Sequence, residues 1–193
     1  MNDFLQTIEK SINIKKRLVN LESEVNDAIS LLYKTLKRRN KVLICGNGGS
    51  AADAQHLAAE FLVRLRPKVN RRPYPVISLA QDTSTITACG NDLGFENIFQ
   101  RNFEALASKD DVLVIFSTSG NSKNILKVLK YAKKRKISSI AFLGNNGGKS
   151  KKLGKIEIIV PEKNTARIQE CHIFLGHFIF EQVENLLIRN DKN

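Results

Sequence analysis

Five short stretches of the chain are apolar but for Ser78, Ser139 and Glu157: Val42 to Cys45, Val76 to Leu79, Val112 to Phe116, Ser139 to Leu143 and Ile156 to Val160. Strands that alternate apolar and polar residues leave one sheet face wet, whereas strands apolar throughout are covered on both faces. Helix-patterned segments separate the five runs, so the expected architecture is α/β: a doubly wound, mostly parallel five-stranded sheet between two layers of helices. Three of the runs stop at loops of small polar residues, which are Gly46 to Ser50, Ser117 to Ser122 and Gly144 to Gly148. Ligands of open α/β sheets sit beyond the carboxyl ends of the strands, which is where these loops must gather.

Two helical stretches flank this alternating part. Residues from about Asp3 to Lys37 carry Ile8, Ile12, Leu18, Leu21, Val25, Ile29 and Leu32 at helical steps, so residues 1–34 read as a helical arm on a domain of residues 35–193. An arm with such a stripe needs either its own core or another subunit, and oligomerisation is the expectation. The segment from about Asn164 to Arg189 reads as a second apolar helix bearing Gln169, His172 and His177.

Composition narrows the setting. No apolar block approaches the ~20 residues that span a bilayer, and the first twenty residues lack a continuous apolar stretch, so the cytoplasm is expected and a membrane partner is not. Cys45, Cys89 and Cys171 lie far apart without CxxC spacing, which speaks for reduced thiols. The net charge of +12 suits an anionic partner. Its clusters, such as Lys37 to Arg39 and Lys133 to Lys136, are dispersed along the chain without interleaved aromatics, so nucleic acid is not the expected partner.

The loop Ser117-Thr118-Ser119-Gly120-Asn121-Ser122 follows a strand and opens a helix near Ser122. Hydroxyls and unpaired backbone N–H groups at a positive helix end bind phosphate without a lysine. Gly46 to Ala51 matches a dinucleotide fingerprint, but no acidic residue ends the next strand at the required distance. Gly148-Lys149-Ser150 imitates a Walker loop, yet Leu143 stands where that motif needs glycine. His56 and Glu60 lie one helical turn apart on the helix after the first loop, where imidazole and carboxylate can share a metal or act as base and orienting partner.

This ordered set resembles the sugar isomerase (SIS) domain family, and within it the bacterial branch that isomerises sedoheptulose 7-phosphate. The residues that carry the resemblance are Gly46-Asn47-Gly48-Gly49-Ser50-Ala51-Ala52-Asp53, His56 with Glu60, Gly90-Asn91-Asp92, the loop 117–122, and Arg167-Ile168-Gln169-Glu170 with His177. The resemblance implies a flavodoxin-like three-layer sandwich and a homotetramer. It also implies conversion of a phosphorylated seven-carbon sugar, sedoheptulose 7-phosphate, to D-glycero-D-manno-heptose 7-phosphate for lipopolysaccharide or capsule. By the same resemblance Glu60 is the general base and His177 its acid-base partner. His56, Glu60, Gln169 and His177 match a zinc site, with one ion per subunit. Asn47, Gly48, Gly49, Ser50, Glu60, Asn91, Asp92, Ser117, Thr118, Ser119, Ser122 and Gln169 match substrate contacts.

The chemistry of the residues agrees, because an aldose-ketose isomerase moves a proton between C1 and C2 through an enediol and needs a base and an oxyanion stabiliser. Spacing alone leaves Glu60 open as ligand or base. The alternative is a non-catalytic relative of the same fold, an adaptor that binds a replication-initiator protein, and the joint presence of His56, Glu60 and His177 favours the enzyme.

Overall fold

In the computed structural model, which describes residues 3–191, all five apolar runs are strands: β1 (Val42–Gly46), β2 (Val76–Ser78), β3 (Val112–Ser117), β4 (Ser138–Gly144) and β5 (Ile156–Val160). They form one sheet in the order β2-β1-β3-β4-β5, and every neighbouring pair is parallel. The helices are α1 (Asp3–Arg17), α2 (Glu22–Lys37), α3 (Gly49–Leu62), α4 (Thr83–Asp92), α5 (Ile98–Leu106), α6 (Lys123–Lys134) and α7 (Thr165–Asp191). Alternate strand residues serve opposite layers. Val42, Ile44, Val114 and Phe116 pack with α2, α3 and α7, while Leu43, Cys45, Leu113 and Ile115 pack with α4, α5 and α6. Chain direction across the sheet reverses between β1 and β3, so the loops after these two strands part and leave a crevice.

The expected N-terminal arm divides. Val25, Ala28, Ile29, Leu32 and Leu36 of α2 are buried in the same core as α7, each large apolar side chain contributing about 1.5–3 kcal/mol of burial. In α1 only Ile14 is buried, and Phe4, Leu5, Ile8 and Ile12 face outward. The stripe of α2 is thus used by the chain itself, and the unpartnered stripe is confined to α1, with Phe174 and Phe178 of α7 exposed nearby across a shallow depression shared with Leu18 and Val19.

The fold also gathers charge that is dispersed in the sequence. Residues 34–41, 107–111, 133–138 and 152–155 all lead into strands at the amino edge of the sheet, and they hold twelve Lys and Arg against Asp110 and Asp111, ten of the net twelve positive charges. Helices α2 and α6 end there, and cations offset the partial negative charge of helix C-termini. The excess charge therefore lies at the opposite edge from the polar loops. Among the described residues no helix is long and apolar enough to cross a membrane. The three cysteines are free and buried.

Candidate functional site

Helices α3 and α7 lie side by side and run the same way. Gly49 stands against Gln169 at their first turns, and farther along Leu57 stands against Gly176. A Cβ on Gly176 would lie 2.6 Å from a Leu57 methyl, so glycine at this position lets the helices close up. The neighbouring His177 then reaches His56 across the seam. Their Nε2 atoms are 2.9 Å apart, and Glu60 Oε1 lies 3.2 Å from His56 Nε2 and 3.4 Å from His177 Nε2. Each ring is partly exposed, whereas the carboxylate is mostly covered.

Three potential donor atoms thus face one point. A tetrahedral metal with ligand bonds near 2.0–2.1 Å places its ligands about 3.3 Å apart, close to the three separations found. The second oxygen of Glu60 is buried with no hydrogen-bond partner in the chain, so the two histidines are the only groups that face this carboxylate's oxygens among the described residues. Two imidazoles and a carboxylate are also the donor types that divalent transition metals take. The residues present fit a metal ion. Gln169 is not one of the convergent three: it lies eight residues before His177, roughly 12 Å along α7, and its amide packs against Gly49.

Burial raises the Glu60 carboxyl above its ordinary range, and the nearby His177 and His56 oppose that rise. Behind it, Arg71 donates to the main-chain oxygen of Glu60 (2.7 Å) and of Phe61 (3.0 Å), and to Glu184 Oε1 (2.6 Å) on α7. Glu184 is fully buried and takes a second bond from Arg66 Nε at 2.7 Å. The last turn of α3, which carries Glu60, is therefore clamped to α7 by a buried ion cluster. Asp53, one turn before His56, is a further acid at this centre whose role the motif left unread. One of its oxygens is buried without a partner, and burial raises its carboxyl against the pull of His56 and His177. The two histidines of α7 separate cleanly. His172 is wholly buried beside Phe116 and Phe142, donates Nε2–H to the Leu143 carbonyl at 3.1 Å, and is pushed down to about 4 by burial. It belongs to the core, and His177 to the site.

The loop after β3 leaves several hydroxyl donors uncommitted. Ser117 and Ser119 accept bonds from the backbone N–H of Gly120 and Asn121, at 3.1 and 3.2 Å, which leaves both hydroxyl protons to donate elsewhere. Ser122 is the N-cap residue of α6, yet its side chain makes no capping bond. An ordinary N-cap would have spent that hydroxyl on the helix. Thr118 is half-buried and Ser119 exposed.

The glycine-rich loop after β4 is a buttress for this one. The Ser150 hydroxyl and backbone N–H both donate to the Gly120 carbonyl, at 2.8 and 2.9 Å, and Lys149 N–H donates to Asn121 Oδ1 at 3.0 Å. A Cβ on Gly120 would come within 2.0 Å of the Gly147 carbonyl oxygen, so the two loops touch backbone to backbone. Across the crevice, Asn47 exchanges two amide hydrogen bonds of 2.9 Å with Asn124 of α6. Gly48 and Gly49 are exposed at the start of α3, and Ser50 is buried there. Asn91 and Asp92 are exposed at the end of α4 and bonded to each other at 2.7 Å. Among the described residues no hydrogen bond or ion pair joins that pair to the loops or to the His56–Glu60–His177 centre.

Comparison with known proteins accords with this arrangement. Residues 6–144 match the SIS domain family. The chain is 48% identical over 179 residues to the phosphoheptose isomerase of Aquifex aeolicus, covering 92% of this chain and 93% of that one. It is 50% identical over 166 residues to that of Campylobacter concisus, with 86% and 87% covered. The solved structure of a phosphoheptose isomerase from Francisella tularensis superposes with a TM-score of 0.89 at 34% identity, over 94% of this chain and 96% of that one. By sequence match, by similarity over most of its length and by fold, the chain belongs to the SIS domain family, among relatives named phosphoheptose isomerase.

Proposed function

We propose that the chain is an aldose-ketose isomerase that converts sedoheptulose 7-phosphate to D-glycero-D-manno-heptose 7-phosphate. The observation that carries this reading is the convergence of His56 Nε2, Glu60 Oε1 and His177 Nε2 within 3.4 Å of one another, on the two helices, α3 and α7, that start at the sheet edge where the phosphate-type loop lies. The hydroxyls of Ser117, Thr118, Ser119 and Ser122, with the N-terminus of α6, hold the phosphate as a handle. Asn47 and the first turn of α3 meet the sugar hydroxyls, with Gln169 beside Gly49 at the same end. Asn91 and Asp92 enter as contacts by family resemblance.

Anchoring the phosphate converts the chemical step into a positioned one. Glu60, its carboxylate made more basic by burial, takes the proton from C1 of the ketose and returns it at C2. His177 moves a proton between the C1 and C2 oxygens, so the enediol forms and collapses without free charge on either oxygen. Zinc is the proposed metal, and His56, Glu60 and His177 are the residues that would hold it; when bound it would polarise the substrate carbonyl, and in Glu60 and His177 ligation competes with proton transfer for the same atoms. We place the enzyme in the cytoplasm and take its working form to be a homotetramer joined in part through α1.

The test is direct: incubate the purified protein with sedoheptulose 7-phosphate and follow the aldoheptose phosphate by NMR. Conversion that is lost on chelation and restored by zinc supports the reading. Failure of the zinc-supplied protein to convert the sugar overturns it.

A further inference from the structure

We infer that Asn124 is a positioning residue for the sugar: it fixes the amide of Asn47 and so couples the loop after β1 to the phosphate-holding end of α6. The inference rests on the isomerase reading. Asn124 is 2% exposed and sits on a helix face otherwise built from Ile125, Val128, Leu129 and Ala132. A polar amide in such surroundings is tolerated only when its bonds are made.

Here they are. Asn124 Nδ2 donates to Asn47 Oδ1, and its own Oδ1 accepts from Asn47 Nδ2 and from the backbone N–H of Ile125, each at 2.9 Å. Within its own helix this amide serves only the Ile125 N–H, on a face that is otherwise apolar. What the amide adds is the reciprocal pair. Asn47 is the first residue after β1 and Asn124 lies in the first turn after the loop that follows β3, so the pair spans the crevice where the two loops part. With one N–H and one Oδ1 lone pair committed, the Asn47 amide cannot spin. Its second N–H is left outside the pair as a donor of fixed direction, suited to a sugar hydroxyl or carbonyl oxygen.

Asn124 touches no reacting atom in this scheme and acts through Asn47. Losing it should weaken substrate capture more than the proton transfers at Glu60 and His177. The experiment measures kcat and KM for sedoheptulose 7-phosphate, with melting temperature, in Asn124→Leu, Asn124→Asp, Asn47→Ala and Asn47→Ala/Asn124→Leu. Asn124→Leu should fold and raise KM about tenfold, the size of one lost neutral hydrogen bond, with kcat within about threefold of wild type. Asn124→Asp keeps both acceptor bonds but sets a second oxygen against Asn47 Oδ1, so it too should raise KM. The double variant should bind no worse than the poorer single variant, because the two amides act as one unit.

Wild-type KM in folded Asn124→Leu, a loss confined to kcat, or additive losses in the double variant would each overturn the inference. Should Asn124→Leu fail to fold, Asn124→Asp decides, and wild-type KM in that variant counts against the inference. A wild-type protein that converts no sugar would instead overturn the isomerase reading, and this inference with it.

Discussion

Replacing Arg71 by methionine should be among the most damaging single changes outside the acid-base centre. The side chain is 3% exposed and its partner Glu184 is 0% exposed. Its guanidinium bonds Glu184 and the carbonyls of Glu60, Phe61 and Arg72, and it lies 5.3 Å from the ring centroids of both Phe61 and Tyr74. Methionine fills much of the volume but donates nothing. One oxygen of Glu184 then loses its cation while Arg66 retains the other, and carbonyls in the last turn of α3 lose their donor. Breaking a buried pair from one side costs about 3–5 kcal/mol. For a domain of this size that corresponds to a melting temperature lowered by roughly 6–20 °C. The assay is a thermal melt followed by circular dichroism, at one fixed protein concentration. Arg71→Met combined with Glu184→Leu should melt above Arg71→Met alone, because the stranded charge is gone. A single variant within about 1 kcal/mol of wild type, or a double variant that sums two full losses, would refute the claim that this cluster clamps α3 to α7.

Three further outcomes follow from particular side chains. Ser122→Ala removes a hydroxyl that the helix does not use, so KM for the phosphosugar should rise by about ten- to a hundredfold with little change in melting temperature; unchanged KM would show that this hydroxyl does not hold phosphate. His172 is neutral in the fold with a pKa of about 4 against 6.5 in the unfolded chain, so between these values the unfolded state binds more protons and stability falls as pH drops. Up to about 3 kcal/mol should be lost across pH 6.5 to 4, and His172→Gln should flatten that part of a denaturation-against-pH series; an equal slope in the variant would contradict the assignment. Deleting residues 1–17 removes α1 and spares α2, so light scattering should report a smaller species that still folds, and an unchanged tetramer would show that α1 does not join subunits.

The sheet was legible because runs such as Val112 to Phe116 are apolar on both faces, the pattern of a parallel strand covered on both sides. The loop from Ser117 to Ser122 was legible for a similar local reason, since four hydroxyls in six residues exceed what capping needs. His56 and Glu60 are one turn apart and could be paired by counting, but His177 meets them only because α7 runs parallel to α3 and Gly176 admits Leu57. No local pattern encodes that approach. Asn124 was missed because one amide within an apolar stripe looks like an ordinary interruption until its partner, 77 residues away, is seen. The basic clusters were misjudged as scattered for the same reason: each precedes a different strand, and only parallel pairing brings them to one edge. The helical arm was read as a single unit, although the 3-10 turn at Leu18–Leu21 separates an outer helix from one that belongs to the core.

The central claim is that Glu60 and His177 act together on one enediol. It is tested most directly by kcat for sedoheptulose 7-phosphate in Glu60→Gln, His177→Gln and the double variant, with metal content and circular dichroism measured on each. Each single variant should remain folded and lose roughly a hundred- to ten-thousandfold in kcat. The double variant should lose scarcely more than the worse single one, as groups serving one proton path do. Folded, metal-loaded single variants with near wild-type kcat, or losses that multiply fully in the double variant, would contradict the account.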